Sequence, residues 1–404
     1  MEILILGAGT AGTMAAAGLR KNLPAGHRIT VVDTDDRHVY QPGLLLLPFG
    51  VYDEKQLVRS RRAVLPRGVD VVTGEVDLVD PAARTVTLVG GARLPYDQLV
   101  IATGTSPRPD QTPGMTDTPG VHEFYTLEGS IATREALARF SRGRLVIGIT
   151  EMPIKCPVAP LEFAFLADAH LRRRGIRDRV DITYVTPLDG AFTKAVCSRE
   201  LGHLLTDRGI TLETDFMLEH IEDGKLVSYD EREIDFDLLV TVPVNMGADY
   251  IARSGLGDEL NYVATDKHTL QAIGHDDIWV LGDAADLPTS KAGSVAHFAM
   301  HTFLTNFRDR LAGRPLSASF DGHANCFIES GDGKALLIDF NYDTEPLAGS
   351  YPVPGGLPLL AESRLNHLGK LGFRYLYWNA LLPGRRLPVP DQMSMRGKKV
   401  PAGG

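Results

Sequence analysis

The sequence predicts an α/β protein with two Rossmann-like dinucleotide-binding domains plus a C-terminal region with an amphipathic aromatic helix. Three observations predict it. The chain opens on a strand-helix-strand unit, a second α/β unit of similar size begins near Arg144, and after Leu311 the texture turns to a hairpin-like region, a Pro/Gly loop and an aromatic helix. A length of 404 residues agrees, because one core rarely grows past roughly 250–300 residues. The expected division is a discontinuous first domain (residues 1–110 and 250–315), a second domain (111–249) and a C-terminal region (316–404).

In chain order, Glu2 to Leu6 reads as a buried strand, Thr10 to Leu23 as a helix and Arg28 to Asp33 as a second, β-branched strand. Strands are expected at Val69 to Val72, Thr85 to Val89 and Gln98 to Ala102. The second unit reads as a strand from Arg144, a loop, a helix from Pro160 to Arg174, a strand from Asp181 to Val185 and a helix from Glu200 to Arg208. Asp237 to Val242 and Ile278 to Leu281 complete the buried strands. A hairpin up to Tyr342 and a Pro352 to Pro358 loop lead to the last helix.

With 51 acidic and 42 basic side chains the net charge is −9, against the basic stripe of a nucleic-acid binder. The charge is uneven: from Arg364 onward there are eight basic residues and one acidic, a local +7. No apolar stretch approaches the roughly 20 residues that span a bilayer, and no basic region precedes the first apolar run, so a secretory signal is not expected. Three cysteines, Cys156, Cys197 and Cys326, are too few and too scattered for a disulfide framework.

Gly7, Gly9 and Gly12 form GxGxxG between the first strand and first helix. Glycines there let backbone amides approach a pyrophosphate at the helix N-terminus, and Asp33 is placed for a ribose hydroxyl. Two strands then end in Ala102-Thr103-Gly104 and Leu281-Gly282-Asp283. Both tripeptides resemble signatures of the two-dinucleotide-domain flavoproteins. That resemblance implies FAD as cofactor, with Asp283 at its ribityl-phosphate part.

Relatives of that kind carry a second GxGxxG for NAD(P)H after the strand near residue 148. Here the loop reads GITEMPIKCPVAP and keeps only Gly148, so no nicotinamide site is expected. The same loop holds Cys156, four residues before Pro160 and beside Lys155. A thiol near a helix N-terminus with a cation beside it is biased toward thiolate, and a small buried apolar side chain is the competing reading.

HVYQPGLLLLPFG (His38 to Gly50), KCPVAPLEF (Lys155 to Phe163), LPTSKAGSVAHF (Leu287 to Phe298) and the stretch around Cys326 resemble the sulfide:quinone oxidoreductase family, related to flavocytochrome sulfide dehydrogenases. The resemblance implies a redox pair, Cys156 and Cys326, in which sulfide attacks the bridge. Cys326 keeps a persulfide, and Cys156 passes the electrons to the flavin. It also aligns Glu162 with a proton acceptor, against the reading of a first-turn carboxylate that complements the helix dipole. Lys291 aligns with a cation near the flavin, against a solvated loop lysine. Cys197 is expected to pack, and no third cysteine lies between Gly120 and Gly143 to link a flavin. His297 and His301 are spaced i,i+4 but lack the glutamate of HExxH and a third ligand, so no metal is expected.

From Leu371 to Leu382 nine of twelve residues are apolar. Twelve helical residues reach about 18 Å, too short to cross hydrocarbon. With Lys370, Arg374, Arg385 and Arg386 for anionic headgroups, the segment suits an interfacial helix. A core-closing helix or a dimer interface are the other readings. Phe373 is the candidate quinone-pocket wall. The expected partners are sulfide, quinone and a membrane surface, with no nucleic acid and homo-oligomer formation left open. The expected location is cytoplasmic, peripheral (monotopic) on the inner face of the cell membrane. A type II NADH:quinone dehydrogenase-like enzyme, or a flavoprotein subunit docking a cytochrome, are the alternatives.

Overall fold

The structure, a computed structural model, describes residues 1–24, 26–385 and 387–400. The elements that position the site are, in chain order, β1 (Glu2–Leu6), α1 (Thr10–Asn22), β2 (Arg28–Asp33), β3 (Asp70–Thr73), β4 (Gln98–Ile101), β5 (Val121–His122), β6 (Gly143–Ile149), α2 (Ala159–Arg173), β7 (Val180–Val185), α3 (Ala195–Asp207), β8 (Ile210–Glu213), β9 (Leu238–Val242), β10 (Ile278–Val280), α4 (Gly293–Leu311), β11 (Ala324–Gly331), β12 (Lys334–Phe340) and α5 (Arg364–Leu376).

Two five-stranded parallel sheets organise the chain. One runs β10-β4-β1-β2-β3 and the other β5-β9-β6-β7-β8. From the second position onward the order is the same in both, which gives structural form to the duplication suggested by the sequence. The central strands are near-continuous aliphatic runs because both faces are covered. Ile5, Leu6, Leu99, Ile101, Leu145, Ile147 and Val240 are all fully buried. Helix α1 is buried from Ala11 to Leu19 because it lies between its sheet and α4. A Cβ on Gly18 would fall 2.7 Å from Leu304, so glycine sets how closely the two helices approach.

Several boundaries differ from expectation. Helix α3 begins at Ala195, five residues early, because Cys197, Leu201 and Leu205 repeat every four residues on the buried face. The Thr85 strand belongs to a separate three-stranded antiparallel sheet spanning Val76 to Pro95, and a similar small sheet spans Leu218 to Asp235. The last helix starts at Arg364, where Ser363 caps it by accepting from Asn366 N at 3.0 Å. Tyr377–Leu381 then forms a π-helical turn in place of continued α-helix. No helix among the described residues is long and apolar enough to cross a membrane.

Candidate active site

Strand ends build the first half of the site. Gly7 leaves β1 with φ +94°, where a Cβ would strike Ala102 O at 2.4 Å, and a Cβ on Gly12 would lie 1.9 Å from Gly7 O. These two glycines are demanded by backbone crossing backbone. Gly9 differs: a Cβ there would meet nothing within 4 Å, and no side chain caps the start of α1. Gly9 therefore keeps open a cradle at the positive end of a helix dipole. Gly104 (φ +68°) also faces open space, while Gly282 (φ +68°) packs against Ala11. The hydroxyls of Thr105 after β4, Thr150 after β6 and Ser294 in the first turn of α4 are buried without a hydrogen-bond partner among the described residues. An open amide cradle at the start of α1 fits the pyrophosphate of a dinucleotide. Asp33 accepts from Ala8 N at 2.6 Å and Thr34 N at 2.7 Å and pairs with Arg61 Nη1 at 2.5 Å, so the protein already holds the carboxylate expected at a ribose.

Beside that cradle lies a buried charge cluster. Burial raises the Asp283 carboxyl above its ordinary value, and the ammonium groups of Lys155 and Lys291 oppose the rise. Lys291 Nζ donates to Asp283 O at 3.0 Å and Ala285 O at 2.9 Å and lies 3.7 Å from the centre of the Tyr262 ring. Burial lowers both lysines. Lys291 is therefore not a solvated loop residue. Its carbonyl also accepts from Cys156 N at 2.8 Å, which ties the cysteine loop to the loop ahead of α4.

Cys156 sits just before α2 at φ +51°, a left-handed conformation that is uncommon outside glycine. Helix α2 packs on β11, which carries Cys326. Both residues are free thiols in this structure. Burial pushes Cys156 up to about 12, and the Glu162 carboxylate adds to the rise. Burial likewise raises Cys326 well above its ordinary value, with the Cys156 thiolate the next cause. The expected bias of Cys156 toward thiolate is corrected. Lys155 turns away, its Nζ donating to Thr105 O at 3.3 Å, and Lys370 is the cation that favours the thiolate.

Glu162 is 1% exposed. Its Oε1 accepts from Glu329 N at 2.7 Å and from Lys370 Nζ. Burial raises the carboxyl to about 7, against the pull of Lys370. The residue reaches inward and does more than complement the helix dipole. Cys197 is buried in the first turn of α3.

The tail departs most from expectation. Helix α5 turns its polar residues inward: Asn366 and Lys370 are buried, whereas Leu365, Leu368, Tyr375 and Leu376 are 53%, 62%, 71% and 41% exposed. Lys370, expected at headgroups, is the buried partner of Glu162. Tyr377 and Trp378 are core residues. The Tyr377 hydroxyl lies 2.7 Å from both His38 Nε2 and Thr10 Oγ1, and Arg59 covers the Trp378 ring at 4.4 Å. His38 Nδ1 reaches Ala8 O at 3.0 Å, and burial lowers this histidine to about 4, so it is neutral. Phe373 is half-buried, 6.5 Å from the Tyr40 and Tyr377 rings. Arg385 is exposed, and Arg386 lies outside the described residues.

Sequence reasoning missed Lys370 as a site residue, the His38–Tyr377 link, and Glu329 with His367. For Lys370 a signal existed: Asn366 and Lys370, spaced i,i+4, share the face opposite Leu365, Leu368 and Tyr375.

Residues 1–302 match the family described as Pyridine nucleotide-disulphide oxidoreductase. The chain is similar to the mitochondrial sulfide:quinone oxidoreductase of Dictyostelium discoideum, with 27% identity over 398 residues covering 95% of this chain and 86% of that protein. The mitochondrial sulfide:quinone oxidoreductase of Mus musculus is 26% identical over 396 residues, covering 95% and 86%. Among solved structures, the sulfide:quinone oxidoreductase of Aquifex aeolicus shares the fold, with a TM-score of 0.82 at 20% identity over 95% of this chain and 92% of that one.

Proposed function

Because the chain belongs to the pyridine nucleotide-disulphide oxidoreductase family, we propose that it oxidises sulfide to sulfane sulfur or polysulfide through Cys156 and Cys326 and passes the electrons to membrane quinone. The chain is an FAD flavoprotein. What supports the reading is that α2, which Cys156 precedes, packs on β11, which carries Cys326, and that the buried Glu162–Lys370 pair joins α2 to α5 there.

The residues divide the work. Gly7, Gly9 and Gly12 would hold the pyrophosphate on the amides of α1, with Asp33 toward the nucleoside and Ala102, Thr103, Gly104, Gly282 and Asp283 lining the remaining strand ends. When bound, FAD would supply the two-electron redox chemistry between the cysteine side and quinone. Hydrosulfide attacks the oxidised Cys156–Cys326 bridge. A new S–S bond forms to Cys326 as the bridge breaks, and Cys156 leaves as thiolate holding the electron pair. Lys370 steadies that thiolate, and Glu162 is the carboxylate that takes up the proton hydrosulfide brings to the persulfide. A further sulfide or another thiophile removes the sulfane sulfur. Lys155 and Lys291 offset negative charge that builds up near Asp283. Phe373 supplies an aromatic wall for quinone.

The exposed Leu365, Leu368, Tyr375 and Leu376 form an apolar face on α5 that is uncovered among the described residues, and Arg364 at the start of α5 and Arg385 beyond its end are exposed too. This is the pattern of a helix lying in a membrane interface, and quinone resides there. The proposed location is peripheral on a membrane, with the inner face of the cell membrane as the side expected from the sequence.

The deciding experiment mixes the FAD-loaded protein anaerobically with sulfide and, separately, with NADH. Rapid flavin bleaching by sulfide and not by NADH is expected. Rapid bleaching by NADH alone overturns the reading in favour of a type II NADH dehydrogenase.

A further inference from the structure

We propose that His38 and Tyr377 are positioning residues for the pyrophosphate cradle, clamping its turn on both sides of Gly9. The clamp rests on the FAD site and is independent of the sulfide chemistry. Among Gly7, Gly9 and Gly12, only Gly9 would carry a Cβ into open space. Its two neighbours are each gripped by a side chain. His38 Nδ1 lies 3.0 Å from Ala8 O, and the Tyr377 hydroxyl lies 2.7 Å from both His38 Nε2 and Thr10 Oγ1. Thr10 is the first residue of α1, and Tyr377 comes directly after α5, 367 residues later. The segment beyond Tyr377 also lies on α1, where a Cβ on Gly384 would fall 3.5 Å from Ala17 Cβ.

The hydrogens in this chain of contacts run one way. Ala8 O can only accept, so His38 Nδ1 carries the hydrogen. His38 is 1% exposed and neutral, which leaves Nε2 bare to accept from the Tyr377 O–H. With its single hydrogen spent, the Tyr377 oxygen accepts from the Thr10 O–H. The Thr10 hydroxyl is thereby committed to Tyr377, and the phosphates are left to the free backbone amides at the start of α1. Gly7 N donates to Val32 O at 2.8 Å, Ala8 N to Asp33 Oδ2 at 2.6 Å and Thr13 N to Gly9 O at 3.0 Å, and Thr13 Oγ1 donates to Ala8 O at 3.1 Å. Those bonds come from β2 and α1, whereas the grip on the Thr10 side chain comes from the far end of the chain. Amides fixed in place beforehand bind an anion without a further ordering cost. Packing alone is served by the Tyr377 ring, 4.9 Å from the Tyr40 ring and 5.1 Å from that of Trp378, so removing only the hydroxyl separates the two roles.

The test uses full-length FAD-loaded protein. Release of FAD on dilution is followed by recovery of free-flavin fluorescence, and phosphorus NMR reads the bound pyrophosphate. Tyr377→Phe, which keeps the ring, is expected to release FAD roughly tenfold faster, the scale of one or two net hydrogen bonds, and to shift the pyrophosphate resonances. Thr10→Val should do the same and the double variant no more than either, because all three break one bond. Thr10→Ser, which keeps the hydroxyl, should behave as wild type. Release from Tyr377→Phe less than threefold faster, or pyrophosphate resonances left in place, overturns the clamp. Slower release from Tyr377→Phe with faster release from Thr10→Val would put the Thr10 O–H on the phosphate and overturns it too. None of these readouts involves sulfide, so the clamp and the sulfide reading fail separately.

Discussion

Glu162→Gln tests the site most directly, because it changes one buried carboxyl to a neutral group of the same shape. At pH 8 a thiol at about 12 is ionised in about one molecule in 10⁴. A base poised at about 7 beside it overcomes that scarcity by taking the proton during reaction. Its loss should lower the limiting rate of sulfide-driven flavin reduction by roughly 10²–10⁴-fold, the usual range for general base catalysis. The pH profile gives a second readout. In the wild type the limiting rate should rise as pH climbs through about 7, where Glu162 becomes a free carboxylate. Measuring at saturating sulfide separates this inflection from ionisation of free sulfide. In Glu162→Gln that inflection should vanish, and the residual rate should climb with alkalinity. Stability carries a matching signature. A carboxyl raised from 4.5 to about 7 favours folding below 4.5, and that contribution is lost as pH rises through 7, roughly 3 kcal/mol at 1.36 per unit. Glu162→Gln should flatten that stretch of the stability curve. A variant that reduces its flavin within threefold of wild type and keeps the inflection would refute the assignment.

Three further outcomes are expected. Gly9→Ala should fold with unchanged melting behaviour without cofactor, since its Cβ meets nothing, yet lose FAD affinity at least tenfold by occupying the cradle, as read by fluorescence titration; Gly12→Ala, whose Cβ falls 1.9 Å from Gly7 O, should also lose stability. Lys398→Ala should destabilise the fold by about 3–5 kcal/mol in denaturant titration, because Lys398 pairs at 2.5 Å with the buried Asp339, which also bonds His323 at 2.8 Å, and its loss strands a buried charge. Adding Asp339→Asn to Lys398→Met should recover most of that loss. Leu365→Asp with Leu368→Asp should abolish flotation with anionic vesicles while leaving sulfide-driven bleaching intact, and unchanged flotation would count against α5 as the membrane face. These exposed positions are better probes than truncation before Arg364, which would also remove the buried Tyr377 and Trp378.

Local chemistry made the dinucleotide cradle legible. Gly12 is required by a contact with Gly7 O inside one strand-turn-helix unit, so its spacing carries the information, whereas the close approach at Gly7 is to Ala102 O at the end of β4. The tail was read for what its residues are and not for which way they face. Aromatic content and charge are the same whether Trp378 meets lipid or Arg59, and only packing against His38, Tyr40 and Arg59 decides it. Lys370 was misplaced because a lysine is ordinarily solvated, and the carboxylate that holds it inside lies 208 residues earlier. The Lys155 expectation failed for a related reason: chain neighbours point apart, and Lys155 turns to Thr105.

The sequence by itself determined the α/β class, the phosphate-binding turn, the missing second glycine motif and the residue types from which redox chemistry could be built. Hydrophobic periodicity and glycine spacing are local properties, so they can be read in one dimension. Only the tertiary structure decided which cation pairs with Glu162 and which side of the last helix is left bare. Those answers depend on burial and on contacts between elements hundreds of residues apart. Desolvation that moves a thiol to about 12 and a carboxyl to about 7 exists only once the chain has closed around them.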